Sequence, residues 1–524
     1  AFDSGLYKST DAGESFVKVD TGVSRIMRMR MHGSSLYFTA VPTDTSVGGF
    51  FRYSTSGGVE NLNPHNDKMT MTGAVDFMID YTNPKFMIVA SYNPAGYRWR
   101  TRDGGKTWDY FRSEDYVNNA AFLQDPSNPQ RLLECTGRGL WTYENIYEED
   151  LYNNVEYGRE QTNIEELVAL KVMSIPDSNA PMLLAGAYDS SFLYCENKTD
   201  KAVLQWYELN KKEKWGIAVD MDYCNSNPKY VMRVARQQEG DYETDIVFSD
   251  NYGRDGSRCG SWLKSNPAFA GAVSAGVQSN GCPVAIVAVP KNADGSPGAL
   301  YRTADWGTSW QKISRVDIYT GSDFWAKYRE YVLISDSADS DTFYFYTDSG
   351  FYVSRDAGLT WQSNTYLSDN FGLNGKTVSL TAVPGKAGEL FLTASDKVFK
   401  TEDFGSTWEQ LFTADSVKYI SFGKGRYDEP AMYMYGTVNG VEGLYISDDM
   451  GSSFRRIDND GIHFLNEVTQ IAGDMNVYGR VFVSLAGTGI MWFEDTHRQT
   501  EAHSIFAVSK NTLSRTESIQ SCAA

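Results

Sequence analysis

The sequence predicts an all-β fold of the β-propeller class, and three observations predict it. A short box, Ser/Thr-x-Asp-x-Gly-x-Ser/Thr-aromatic, recurs six times along the chain. Each copy follows a run of alternating apolar residues, the period-2 pattern of a strand. The last four copies start at residues 303, 354, 401 and 447, so the unit is 46–51 residues long. That is the length of one four-stranded propeller blade.

The boxes read STDAGESF from Ser9, TRDGGKTW from Thr101, TADWGTSW from Thr303, SRDAGLTW from Ser354, TEDFGSTW from Thr401 and SDDMGSSF from Ser447. The strand runs before them are GLYKS, YRWRT, ALYRT, GFYVS, KVFKT and GLYIS. Within a box, Asp and Gly mark a tight turn: the carboxylate accepts backbone N–H groups and the glycine takes a positive φ. The hydroxyl closes the same loop, and the aromatic opens the next strand and packs between sheets. The box is a hairpin fastener. Asp11, Asp103, Asp305, Asp356, Asp403 and Asp449 are therefore read as structural rather than catalytic, and Trp108, Trp310, Trp361 and Trp408 as packing residues. Degenerate copies stand at Tyr53–Gly58 (YSTSGG) and Ser249–Gly253 (SDNYG). The basic run from Arg28 to His32 alternates like a blade strand.

From the first box to about Ile490 there is room for roughly ten blades of this length. A single ten-bladed ring fits, and so does a partial ring of about three blades followed by a full seven-bladed one. Residues 151–166 are polar, lack a box and break the rhythm, which places a domain change near 150. The stretch after about 495 carries no blade pattern and reads as a tail or extension.

Composition narrows the function classes. The chain has 524 residues, 41% hydrophobic and 22% charged, with a net charge of −19. This is an ordinary globular balance. The negative charge argues against nucleic acid or an anionic membrane face as the main partner, and leaves a neutral polymer such as a polysaccharide open. There is no run of 18 apolar residues, so no membrane span is expected. Five histidines without an HExxH or a close pair give no metal centre, and no GxGxxG or Walker loop calls for a cofactor. Among six cysteines, Cys195 and Cys224, and Cys259 and Cys282, are near enough in sequence to be candidate disulfides, with the pairing open. Asn197 heads the one N-x-S/T sequon and is a candidate glycosylation site. With the acidic charge it points to a secreted, extracellular protein.

Other segments carry a resemblance. The boxes are the Asp-box, or BNR, repeat of sialidases, sortilin-like receptors and several glycanases. IEELVALKVMSIPDSNAPMLLAGAYDSSFLY, Ile164–Tyr194, resembles the start of the C-terminal propeller of glycoside hydrolase family 74, the xyloglucanases. GDMNVYGRVFVSLAGTGIMW, Gly473–Trp492, resembles that family's closing segment. NPKFMIVA, NPQRLLECTGRGLW and NPKYVMRVA look like its blade starts. The resemblance covers roughly residues 1–494. It implies an incomplete N-terminal propeller over 1–150, a seven-bladed propeller over 151–494 and a tail over 495–524.

What the resemblance implies about activity is inverting endo-β-1,4-glucan hydrolysis in a cleft, one aspartate acting as general acid and another as general base. Two carboxyls about 6.5–9.5 Å apart would be required. Asp189 stands at the catalytic position after the strand Leu183–Ala187. Tyr188, Phe192, Phe324 and Trp325 are candidate sugar-stacking residues. Glu165 and Glu166 read as a solvated surface pair, and Asp222 as a turn residue. Where the family shows a Gly-Phe-Arg-His-like run, this chain has Ser190 to Tyr194. No segment like the family's opening ARTDIGGAYR is present. The expectation is therefore a second polypeptide that completes the N-terminal ring and supplies the other carboxylate. The alternative is a non-catalytic glycan- or protein-binding propeller in an extracellular assembly.

Overall fold

The computed structural model describes residues 5–505 apart from 67, 94–95, 113–120, 137–138, 149–167, 189–190, 198–204, 207–215, 238–243, 256, 259–269, 292–296, 314–331, 348–349, 374–377, 395, 412–413, 459–466 and 496–499. Among these, one six-residue helix, Tyr366–Phe371, interrupts an otherwise all-β chain. Every named sheet is an antiparallel meander, its strands hydrogen-bonded in chain order. The fold is a β-propeller, as the boxes predict.

The chain divides into two compact units, Ala1–Glu166 and Leu167–Ala524. In the first, Leu6–Lys8 pairs with Val17–Val19. Two four-stranded sheets follow, opening on Ile26–His32 and Gly73–Ile79, and then a three-stranded sheet opens on Ala121–Gln124. The basic run 28–32 lies in the first strand of its sheet. Phe38, Phe50, Phe77, Val89 and Trp99 are buried between the sheets of this unit.

Among the described residues, the second unit holds seven four-stranded sheets. Their first strands are Ala169–Met173, Gly216–Tyr223, Ala270–Val277, Val332–Ser335, Val378–Ala382, Ser416–Gly423 and Val468–Gly473. Each first strand packs on the next, and the seventh packs on the first, so the ring closes on itself. The closure is polar as well as apolar. Thr469 Oγ1 donates to the Ala169 carbonyl at 2.6 Å, Val172 N–H to Gln470 Oε1 at 2.9 Å, and Met475 N–H to Ser174 Oγ at 3.0 Å. Between the second, third and fourth sheets the core is continuous: Val284 to Val289 is a fully apolar, fully buried run packed against Met232, Val234, Phe343 and Phe345.

Two expectations are corrected here. The segment beyond 495 is not only a tail: Thr500–Ile505 pairs with Gly489–Asp495 as the fourth strand of the seventh sheet. An outermost strand has one ladder partner and little core to cover, so it needs no clean apolar alternation. Cys195 and Cys224 are free thiols rather than a disulfide. Cys195 lies in the core between the first and seventh sheets, and Cys224 in the core of the second, third and fourth. Cys282 is also a free thiol, and its candidate partner Cys259 lies outside the described residues.

Candidate functional site

The boxes form one repeated hydrogen-bond device. In the copy at Thr401, Thr401 Oγ1 donates to Asp403 Oδ1 at 2.8 Å and accepts the Gly405 N–H at 3.0 Å. Thr407 gives its N–H to Oδ1 at 2.8 Å and its hydroxyl to Oδ2 at 2.7 Å. The same four bonds recur around Asp11, Asp103, Asp305, Asp356 and Asp449. The Ser15 and Ser9 hydroxyls hold the Asp11 carboxyl down at about 2. In the degenerate copy, Ser249 Oγ still accepts the Asn251 and Gly253 N–H groups. Both oxygens of each box carboxylate are used by its own turn.

Asp189 lies outside the described residues, as do Phe324, Trp325, Glu165 and Glu166. The residue before Asp189, Tyr188, is half-buried in the turn that ends Leu183–Ala187, and its N–H donates to the Val168 carbonyl at 2.9 Å. Phe192 is not free to stack on a sugar. It is 2% exposed, packed among Leu184, Ala218 and Val231, with the Arg233 guanidinium 5.6 Å from its ring centroid. The strand Ser191–Cys195 turns this side chain into the blade interface. Asn197 is exposed just past that strand.

A second polar centre lies on the axis of the ring. The innermost strands enclose a channel in two overlapping sections of about 260 and 480 Å³. Lys171, Asp220, Asp222, Ser379, Tyr419 and Gln470 line both. Four of these arrive by the same local device. The first strands of the first, second, sixth and seventh sheets each carry a register shift at the same point. The residues that follow are Lys171, Asp220, Tyr419 and Gln470. A bulge adds one residue and re-aims the side chain after it.

The two aspartates tie the second blade to the third. Asp220 Oδ2 accepts the Gly271 N–H at 3.0 Å, and Lys171 Nζ stands 3.5 Å from Oδ1. Asp222 Oδ2 accepts the Val273 N–H at 2.7 Å and Oδ1 the Tyr223 N–H at 2.9 Å; Ser335 Oγ lies 3.5 Å from Oδ2. Burial pushes both carboxyls up. For Asp222 burial outweighs these hydrogen bonds and, with the nearby Asp220 charge, brings it to about 7. Such a group is available both as donor and as acceptor near neutrality.

Sequence reading missed this centre: Asp222 was expected in a turn, and it lies in a strand. The signal was present. In AVDMDY two aspartates two residues apart sit among apolar neighbours, which puts both on one face of a strand. The first unit places a single aspartate in the same way in GAVDF. Asp76 follows a bulge, accepts the Phe122 N–H at 2.7 Å and pairs with Arg30 at 3.2 Å.

No family model matches the chain. A xyloglucanase from a Paenibacillus species is 25% identical over 548 residues, covering 93% of this chain and 50% of the relative. A xyloglucanase of Acetivibrio thermocellus is 26% identical over 461 residues, covering 79% and 50%. The crystal structure of a family 74 xyloglucanase from Xanthomonas campestris superposes with a TM-score of 0.65 at 20% identity, over 94% of this chain and 70% of that one; at that identity the likeness concerns the fold. The chain spans about half the length of these two curated relatives. Nothing in these matches supports the expected second polypeptide. The likeness to glycoside hydrolase family 74 read from Ile164–Tyr194 and Gly473–Trp492 thus extends over most of the chain.

Proposed function

We propose that this chain acts in the hydrolysis of xyloglucan, as part of an inverting endo-β-1,4-glucanase in which Asp189 is one of the two working carboxyls. The observation that carries the reading is the similarity to xyloglucanases along 93% of the chain. Inversion requires a second carboxyl about 6.5–9.5 Å away, with a water between them. In this reading it comes from the part of the relatives' length that this chain does not span. Tyr188, Phe324 and Trp325 are the proposed sugar-stacking residues. A neutral polysaccharide suits a surface of net charge −19, which repels polyanions. Xyloglucan is met outside the cell, so the reading includes secretion, and the exposed Asn197 sequon accords with that.

The test is reducing-sugar release from xyloglucan by the full-length protein and by its Asp189→Ala variant. Removing a general acid or base is expected to lower kcat by about 10²–10⁴-fold with the fold unchanged. Equal release by the two proteins would remove Asp189 from the chemistry. Retention of xyloglucan with no release by either would overturn hydrolysis itself.

A further inference from the structure

We propose that the axial channel of the seven-sheet ring is a binding site for one neutral, hydroxyl-rich small molecule of monosaccharide size. Four bulges at matching positions deliver Lys171, Asp220, Tyr419 and Gln470 to its wall. A bulge forfeits a ladder position, and bulges gather where a side chain has to be re-aimed.

Two acids share one blade junction and face the channel. Other junctions of the ring are tied by single groups, neutral or charged: Ser421 Oγ accepts the Gly473 N–H at 2.9 Å, Gln470 Oε1 accepts the Val172 N–H, Thr381 Oγ1 donates to the Ile420 carbonyl at 3.1 Å, and Asp336 Oδ2 accepts the Gly388 N–H at 2.7 Å. Asp76 does the same work in the first unit against the charge of Arg30. At the junction of the second and third blades two carboxylates act side by side, Asp220 on Gly271 and Asp222 on Val273. Enclosing them costs desolvation. Facing a cavity, they supply lone pairs that the backbone N–H groups leave unused.

The charges select the ligand. An anion meets two carboxyls. A cation meets Lys171, already 3.5 Å from Asp220, and no group of three or more His, Cys, Asp or Glu is assembled to hold a metal among the described residues. Hydroxyls fit, because each donates to a carboxylate and accepts from an ammonium or amide. Tyr419 adds an aromatic wall of the kind that takes the apolar face of a sugar ring. At about 480 Å³ the wider section is within the ordinary range for small-molecule sites.

D-Glucose and D-xylose are the probes, titrated into the protein by calorimetry and saturation-transfer NMR. Saturable binding is expected in the wild type and in Asp189→Ala. It is expected to vanish in Ser379→Trp, which fills the channel, and to weaken about tenfold or more in Asp222→Asn, which removes a charged acceptor. Circular dichroism establishes that each variant is folded. No saturable binding of either sugar by the wild type would overturn the proposal. So would wild-type affinity in a folded Ser379→Trp. If that variant fails to fold, wild-type affinity in folded Asp222→Asn overturns it. Retained binding in an Asp189→Ala protein that releases no sugar from xyloglucan separates this site from the hydrolytic one.

Discussion

The Asp222 carboxylate, on the innermost strand of one blade, accepts the Val273 N–H of the next blade at 2.7 Å. Adjacent blades meet face to face without a ladder between them, so such bonds are the directional ties of the ring. This one is made by a group whose charge burial opposes. Asp222 sits at about 7 in the folded chain against an ordinary value of 3.8.

Stability in the second unit should therefore fall as pH rises. A carboxyl with a raised folded value binds an extra proton in the native state between the two values. Its contribution is complete below about 4 and lost as pH climbs through about 7. Asp220, also raised, acts in the same direction. The ceiling for Asp222 is about 4 kcal/mol. Urea unfolding at about pH 5 and about pH 8 measures the slope, and Asp222→Asn should flatten most of it. The box aspartates act oppositely. Asp11 is lowered, so its contribution is present above about 4 and lost as pH falls toward 2, outside this window. A wild-type profile flat from about pH 5 to about pH 8 would contradict the assignment.

Each box should behave as one unit. Asp403→Ala removes the acceptor of three bonds, from Thr401 Oγ1, Thr407 N–H and Thr407 Oγ1. The expected loss is about 1–3 kcal/mol. Thr401→Ala removes three bonds, one of them shared with the Asp403 carboxylate. Thermal unfolding of the double variant should show less than the sum of the singles, because the shared bond is lost only once.

The turn backbone gives a pair of opposite signs. Gly405 has φ +82°, and a Cβ there would stand 2.2 Å from the Phe351 ring. Gly405→Ala should cost about 2 kcal/mol or more, from backbone strain and overpacking together. Ala12 has φ 57° and is exposed. Its Cβ already bears the left-handed penalty, so Ala12→Gly should be neutral or stabilising by up to about 1 kcal/mol. Chemical denaturation of the two variants reads both signs.

Phe192→Ala should act on stability. A ring 2% exposed between two blades costs about 3–5 kcal/mol when truncated. Glycan affinity measured on the folded variant at low temperature should stay at the wild-type value. A selective loss of affinity with unchanged stability would return Phe192 to the sugar-binding set.

The blade architecture was legible because its information is local. Asp, Gly and two hydroxyls within seven residues close a turn by themselves, so the box at Thr401 reads in sequence as it is built in space. The channel was less legible because its information is distributed. Lys171, Asp220, Tyr419 and Gln470 come from four blades up to about 300 residues apart, and only ring closure brings them together. Asp222 was misread for a related reason: an acid before an Asn-Pro turn suggests the turn itself, while the alternation of VDMDY carries the strand through it. Thr500–Ile505 was missed because an edge strand is specified by its partner.

Cys195 and Cys224 are sealed in blade cores. Burial pushes Cys195 up to about 11, and its Sγ lies 3.4 Å from the Asn197 carbonyl oxygen. Cys224 is raised by burial as well, with its Sγ 3.5 Å from the Ala275 carbonyl oxygen. Reactivity belongs to the thiolate. At pH 8 a group at about 11 is ionised in roughly one molecule in a thousand, and reagent access is blocked besides. Neither thiol should react with an aromatic disulfide reagent in the native protein, and both should react in urea. Reductant should leave their contribution to the melting temperature unchanged, since no bridge between them is there to break. The two cysteines belong to different blade cores, so forming the bridge would need one blade core to open. A non-reducing peptide map that joins Cys195 to Cys224 in folded protein would contradict the packing of both.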